Sequence, residues 1–225
     1  MNAAMNVPMN TSQEFHEMKT SAVLLAAGEG SRMGYVAKSL LEFRGESFLS
    51  RLLGSLRDAA VHSISVVTGF HQQAIEADVQ AFINRDKAHH AQLIKILRNP
   101  SPEQGPQSSV KLALESIEKD SDRVVIALAD QPLINAHDLV ELFNAFENRP
   151  VGTEILYPVV LGSRGNPVIL SGQALKHYLT LSDSMSCRKF IDTHPALVHQ
   201  YQTNNHHFIT DIDTPEDLEA VLKRL

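Results

Sequence analysis

Between residues 21 and 148 the chain alternates short apolar runs with stretches whose apolar positions recur every three or four residues. "SAVLLAA" (21–27), "ISVVTG" (64–69), "LIKILRN" (93–99) and "RVVIALAD" (123–130) are rich in Val, Ile, Leu and Ala, the pattern of strands buried on both faces. "SFLSRLLGSLRDAA" (47–60), "HQQAIEADVQAFINRD" (71–86), "QSSVKLALESIEK" (107–119) and "NAHDLVELFNAFEN" (135–148) read as helices. This alternation predicts an α/β domain with one doubly wound, mostly parallel sheet and helices on both faces. Ligands of such sheets sit outside the carboxyl ends of the strands, so the junctions at Gly28, Thr68, Asn99 and Asp130 are expected to share one edge.

The rhythm changes after residue 150. "EILYPVVL" and "GNPVIL" flank "GSRG", which predicts a hairpin or paired strands. Short helices are expected between 171 and 194, and "ALVHQYQT" reads as a last strand. "DIDTPEDLEAVLKRL" contains a helix start, with Thr214 as N-cap, Pro215 in the first helical position and Asp217 closing a capping box.

Composition narrows the picture. A length of 225 residues and an apolar share of 43% suit one domain with a substantial core. Residues 1–20 are polar and lack a basic start followed by an apolar stretch, so a flexible arm is expected rather than a signal peptide, with 21–225 as the domain. No apolar run reaches membrane-span length. A net charge of −6 argues against a nucleic-acid surface. The single cysteine, Cys187, excludes a disulfide framework, fits a cytoplasmic location and reads as an inert small residue. The pairs His89-His90 and His206-His207 lack the i,i+4 spacing of a zinc site and read as solvated surface histidines.

The densest chemistry follows the first strand, in "GEGSRMGYVAKS" (28–39). A Walker loop needs glycine before Lys-Ser, but Ala37 stands there. A dinucleotide fingerprint needs a third glycine where Met33 stands, and the acid expected about 20 residues on is missing. What remains is a glycine loop whose backbone N–H groups can turn toward an anion. Arg32 offers a planar fork to β- and γ-phosphates, and Lys38 a mobile point charge for the α-phosphate. Both also suit an ordinary solvated loop. Asp130, behind an apolar strand, is placed to hold Mg²⁺ on a triphosphate, and equally suits a turn.

"LAAGEGSRMGYVAKSLLEFRGESFL" resembles the signature of nucleotidyltransferases that attach a nucleotide to a phosphorylated acceptor, and within them the molybdenum cofactor cytidylyltransferase family. "NPSPEQGPQSSV" (99–110), "LADQPLI" (128–134), "RGNPVIL" (164–170) and "DIDTPEDL" (211–218) agree with it. The resemblance implies transfer of a nucleoside monophosphate, with CTP favoured, to the terminal phosphate of molybdopterin, with release of pyrophosphate. It implies a nucleotide site of Leu25, Ala26, Ala27, Gly28, Gly30, Ser31, Arg32, Lys38, Thr68, Asn99, Ser109 and Asp130, with Arg32, Lys38 and Asp130 catalytic. It also implies Asp213 as a second Mg²⁺ ligand and an acceptor site of Arg164, Gly165, Asn166 and Pro167. A molybdoenzyme apoprotein is the implied partner. Asp213 suits a turn ahead of Thr214 as well, and Ser108 and Ser109 suit a helix cap. The chain departs from the family where it has Asn166 instead of histidine, and in "LSDSMSCRKF" (181–190), which lacks the expected Gly and Arg spacing. Other readings are a guanylyltransferase, a cytidylyltransferase for a sugar phosphate, an oxidoreductase on the same scaffold, and a cofactor carrier.

Overall fold

The computed structural model describes residues 18–85, 87, 93–181 and 185–223. The N-terminal arm as far as residue 17 and the His89-His90 pair therefore lie outside the described residues. One strand runs through the middle of the molecule, β1 (Thr20–Ala26), and its side chains divide two cores. Ala22, Leu24 and Ala26 pack with the apolar stripes of α1 (Phe48–Asp58), α2 (Gln72–Arg85) and α4 (Ala136–Glu147). Val23, between them, packs with α3 (Pro106–Glu115), α5 (Gly172–Leu179) and α6 (Cys187–Thr193) on the other face. Strand alternation thus makes the sheet doubly wound.

The sheet order is β5-β4-β1-β6-β9-β7-β10, where β4 is Ser63–Thr68, β5 Ile94–Arg98, β6 Arg123–Leu128, β7 Ile155–Val160, β9 Val168–Ser171 and β10 Val198–Gln202. Along this path pairing is parallel except around β9, which lies antiparallel between β6 and β7, and off it the short β8 (Ser163–Arg164) pairs antiparallel with β7. "EILYPVVL" and "GNPVIL" do pair, as antiparallel β7 and β9, but the turn falls earlier than expected: β7 turns through Leu161 (φ 50°) and Gly162 (φ 81°) into β8, which occupies the predicted connection. Two consecutive positive φ values make the tight turn that matches strand twist. A second hairpin, β2 (Glu42–Phe43) and β3 (Glu46–Ser47), turns through Arg44-Gly45 and was not expected from the sequence. Its last residue, Ser47, caps α1 by accepting from Ser50 N at 3.0 Å.

Register fixes the functional edge. Ala26 pairs with Thr68, Thr68 with Arg98, and Leu25 with Leu128, so four strands end level. The chain runs outward from β1 to β4 and β5, then returns to β6 on the other side, which opens a crevice at the β1/β6 switch. Two expectations need correction. Asp130 does not close the strand: β6 ends at Leu128, because the chain turns to let Gln131 N reach Leu128 O. Nor do Ser108 and Ser109 cap α3, which starts at Pro106 behind Gly105 (φ 93°) with no side-chain cap. The final helix, α7 (Pro215–Leu222), has the expected Thr214–Asp217 capping box.

Candidate active site

The loop leaving β1 folds on one carbonyl. Gly30 O accepts from Met33 N and Tyr35 N, both at 2.9 Å, and Gly30 itself is left-handed at φ 70°. A Cβ there would stand 1.9 Å from Val36 O, so no other residue fits without moving backbone. Gly28 is uncrowded and exposed. We expect Gly30→Ala to open the loop and raise KM for the nucleotide by at least about tenfold, with about 1–3 kcal/mol lost in stability, read from kinetics and thermal melts.

Two short 3-10 turns, Ser31–Met33 and Lys38–Leu40, carry the cations back to a common acid. Lys38 Nζ donates to Asp213 Oδ1 at 2.5 Å, and Arg32 Nη1 to Asp213 Oδ2 at 2.6 Å. The Lys38 side chain is 15% exposed and that of Arg32 71%, so Lys38 is the pre-organised member. Asp213 is held in turn by the α7 cap, since Asp217 Oδ2 accepts from Asp213 N and Thr214 N. The hydrogen bond from Lys38 holds the Asp213 carboxyl below the usual carboxylate range, and Arg32 adds to this. Asp213 therefore does more than turn the chain: it aligns both cations.

Asp130 sits opposite, half-buried, with its carbonyl accepting from Ile212 N at 3.1 Å. Burial, reinforced by the Asp211 carboxylate, pushes its carboxyl up to about 6. Burial also raises Asp211, which accepts from Gln131 Nε2 at 2.6 Å. Gln131 Oε1 is buried with no partner. A half-buried carboxylate beside a second carboxylate offers oxygen donors that suit a hard divalent cation. Asp211 and Gln131 were missed in the sequence, although "DID" and "DQP" contain them.

The cavity between these groups is about 450 Å³. Every nucleotide-side residue expected from the sequence lines it except Thr68 and Asn99, and Asp213 lines it too. Those two sit beneath. Thr68 is fully buried, while Asn99 Nδ2 donates to Ser108 Oγ (2.8 Å) and Ser109 Oγ (2.9 Å), fixing the far wall. That wall also includes Pro102 and Gly105 of the Asn99 loop, together with Phe70, which was not anticipated. Gly69 lets the β4 exit close on them, since a Cβ there would stand 2.8 Å from Ala27 O and 2.9 Å from Pro102 Cβ.

The expected acceptor residues do not line this cavity, although pairing of Ile126 with Val168 puts them at the same sheet edge. Arg164 stacks over Tyr157 (4.3 Å) and donates to Asp192 Oδ1 at 3.1 Å. Gly165 packs against Phe208 O, and Asn166 N donates to that carbonyl at 2.9 Å. Pro167 is buried. His207 is not simply solvated: its Nδ1 lies 2.9 Å from Oδ2 of buried Asp138, whereas His206 is exposed. Cys187 is buried and its thiol is pushed up to about 12, as an inert residue should be. Among the described residues no helix is long and apolar enough to cross a membrane.

A glycine loop behind the first strand, two aligned cations and carboxylates at the next strand define a nucleotide-binding α/β protein that works on phosphates. Residues 22–203 match the family model of the MobA-like NTP transferase domain, and the chain belongs to that family of nucleotidyltransferases. Probable molybdenum cofactor guanylyltransferases of Clostridium perfringens are similar. The strain SM101 protein is 28% identical over 63% of this chain and 60% of its own length, and the strain 13 protein 25% identical over 89% and 96%. The nicotine blue oxidoreductase of Paenarthrobacter nicotinovorans is 25% identical over 90% of this chain and 96% of its own. A solved nucleotidyl transferase from Methanothermobacter thermautotroptrophicus superposes with a TM-score of 0.71 at 19% identity, covering 92% of this chain and 97% of that one.

Proposed function

We propose that the protein transfers a cytidylyl group from CTP to the terminal phosphate of molybdenum cofactor and releases pyrophosphate. The observation that carries the reading is the Lys38–Asp213–Arg32 cluster facing Asp130 across the glycine-loop cavity. The acceptor phosphate attacks the α-phosphorus, the bond to the β-phosphate oxygen breaks, and the electron pair leaves with pyrophosphate. A phosphate nucleophile is largely deprotonated near neutral pH, so the protein needs positioning and charge neutralisation rather than a general base. Backbone amides from Gly28 to Arg32 bind the triphosphate, Lys38 meets the α-phosphate, and Arg32 follows the leaving pyrophosphate. Asp130 and Asp213, with Asp211 beside them, are the residues that would hold Mg²⁺, which when bound supplies positive charge to the triphosphate oxygens. Arg164, Gly165, Asn166 and Pro167 are proposed to meet the acceptor from the β9 side. A molybdoenzyme apoprotein is the proposed recipient of the product.

The preference for cytosine rests on the far wall of the cavity. The base would lie over Leu25-Ala26-Ala27, whose small residues admit a flat ring. Ser109 is buried and its Oγ accepts from Asn99, which leaves its own proton for a base carbonyl. Guanine's paired N–H groups favour an acid, and Glu103, the acid of this loop, is exposed and does not line the cavity. Each hydrogen bond left unmade costs about 1–3 kcal/mol, so at equal sub-saturating concentrations CTP should turn over at least about tenfold faster than GTP. Equal or better use of GTP would refute the pyrimidine assignment and leave nucleotidyl transfer standing.

A further inference from the structure

A second cavity, of about 530 Å³, runs along the solvent side of α1 between the end of α2, residues 132–135 and His207, and it shares no lining residue with the nucleotide cavity. Three arginines line it. Arg85 Nη1 pairs with Glu46 Oε1 at 2.9 Å and Arg57 Nη2 with Asp58 Oδ1 at 2.7 Å, so groove acids neutralise both. Arg51 is different. Its guanidinium has no carboxylate partner among the described residues, and its Nε is buried without an acceptor. Its Cζ lies 5.5 Å from the Phe43 ring centroid, and the Cζ of Arg44, also without a carboxylate among the described residues, lies 4.8 Å from the same centroid. Arg44 is exposed and does not line the groove, so Arg51 is the groove arginine without a carboxylate partner among the described residues. A buried donor without a partner calls for an explanation, and a bound anion supplies the missing acceptor.

We propose that this groove is a second ligand site, specific for a small phosphate-bearing molecule held by Arg51. A phosphate group, with several acceptor oxygens, matches the planar fork of donors that Arg51 presents to the groove. Gly54 lies on the groove and a Cβ there meets nothing within 4 Å, so the floor is open. The far wall begins two residues after Asp130, and the ligand would therefore bear on the loop that carries it.

The test reads binding without turnover, so it stands apart from the proposed reaction. Inorganic phosphate and ribose 5-phosphate are titrated calorimetrically into full-length protein carrying Lys38→Ala, which weakens phosphate capture at the glycine loop. One binding event should remain. Arg51→Gln should weaken it at least about tenfold. Gly54→Glu should abolish it by placing a carboxylate in the groove, while Gly54→Ala should leave it unchanged. Tighter binding of ribose 5-phosphate identifies an organic phosphate as the occupant, and equal binding identifies free phosphate. Absence of the event, or an affinity indifferent to both Arg51→Gln and Gly54→Glu in variants with native circular dichroism, overturns the proposal.

Discussion

Asp130→Asn is expected to abolish nucleotidyl transfer and, at the same time, to make the metal-free protein more stable at neutral pH. The two effects share one cause. Folding places the carboxyl in a half-buried position beside Asp211 and raises it from its ordinary value of 3.8 to about 6. The folded state therefore binds this proton more tightly than the unfolded chain does. As pH rises from about 4 to about 6 the unfolded chain ionises first, and native stability falls by an amount that is complete above pH 6. An amide carries no such penalty, so the variant should gain about 1–2 kcal/mol at pH 8 and nothing at pH 4. Mg²⁺ should stabilise the wild type and leave the variant unmoved, since a ligand stabilises only the state that binds it. Chemical denaturation at both pH values, with and without Mg²⁺, checks this. Near-normal turnover of the variant at ordinary magnesium would remove Asp130 from the reaction.

Lys38→Ala should lower kcat by about 10²–10³, the loss expected for one pre-organised donor that meets charge developing in the transition state. Lys38 is mostly sequestered and bonded to Asp213 at 2.5 Å, so it waits in place and its loss falls on the rate. Arg32→Ala acts more weakly and mainly on KM, because a 71% exposed side chain on the same acid is screened by water. Steady-state kinetics with pyrophosphate as the readout separates the two. Unchanged kcat in both variants would reduce the pair to surface cations.

The nucleotide half of this site was legible in the sequence because its chemistry is local. Glycine at 30 and the Arg32 and Lys38 spacing are demands of one loop, and the level ends of β1, β4, β5 and β6 follow from buried parallel strands. Asp211 and Gln131 escaped notice because the cluster forms only when residues some 80 positions apart meet: Gln131 Nε2 reaches Asp211 Oδ1 across the end of the sheet. The role of Asn99 as the prop of Ser108 and Ser109 was hidden for a different reason. Both serines stand where a helix cap is plausible, yet Pro106 had already begun the helix. The pairing of β9 with β7 was legible from the two apolar runs around "GSRG", whereas its antiparallel pairing with β6 is a choice of neighbour that alternating apolar residues do not encode.

The central claim is nucleotidyl transfer, and pyrophosphate release tests it most directly. The purified protein is given CTP or GTP with Mg²⁺, with and without molybdenum cofactor as acceptor, alongside a control with reduced nicotinamide and a quinone-like dye. Pyrophosphate should form in step with acceptor consumed, faster with CTP, and not at all without acceptor. No pyrophosphate from either nucleotide, together with nicotinamide oxidation by the dye, would contradict it.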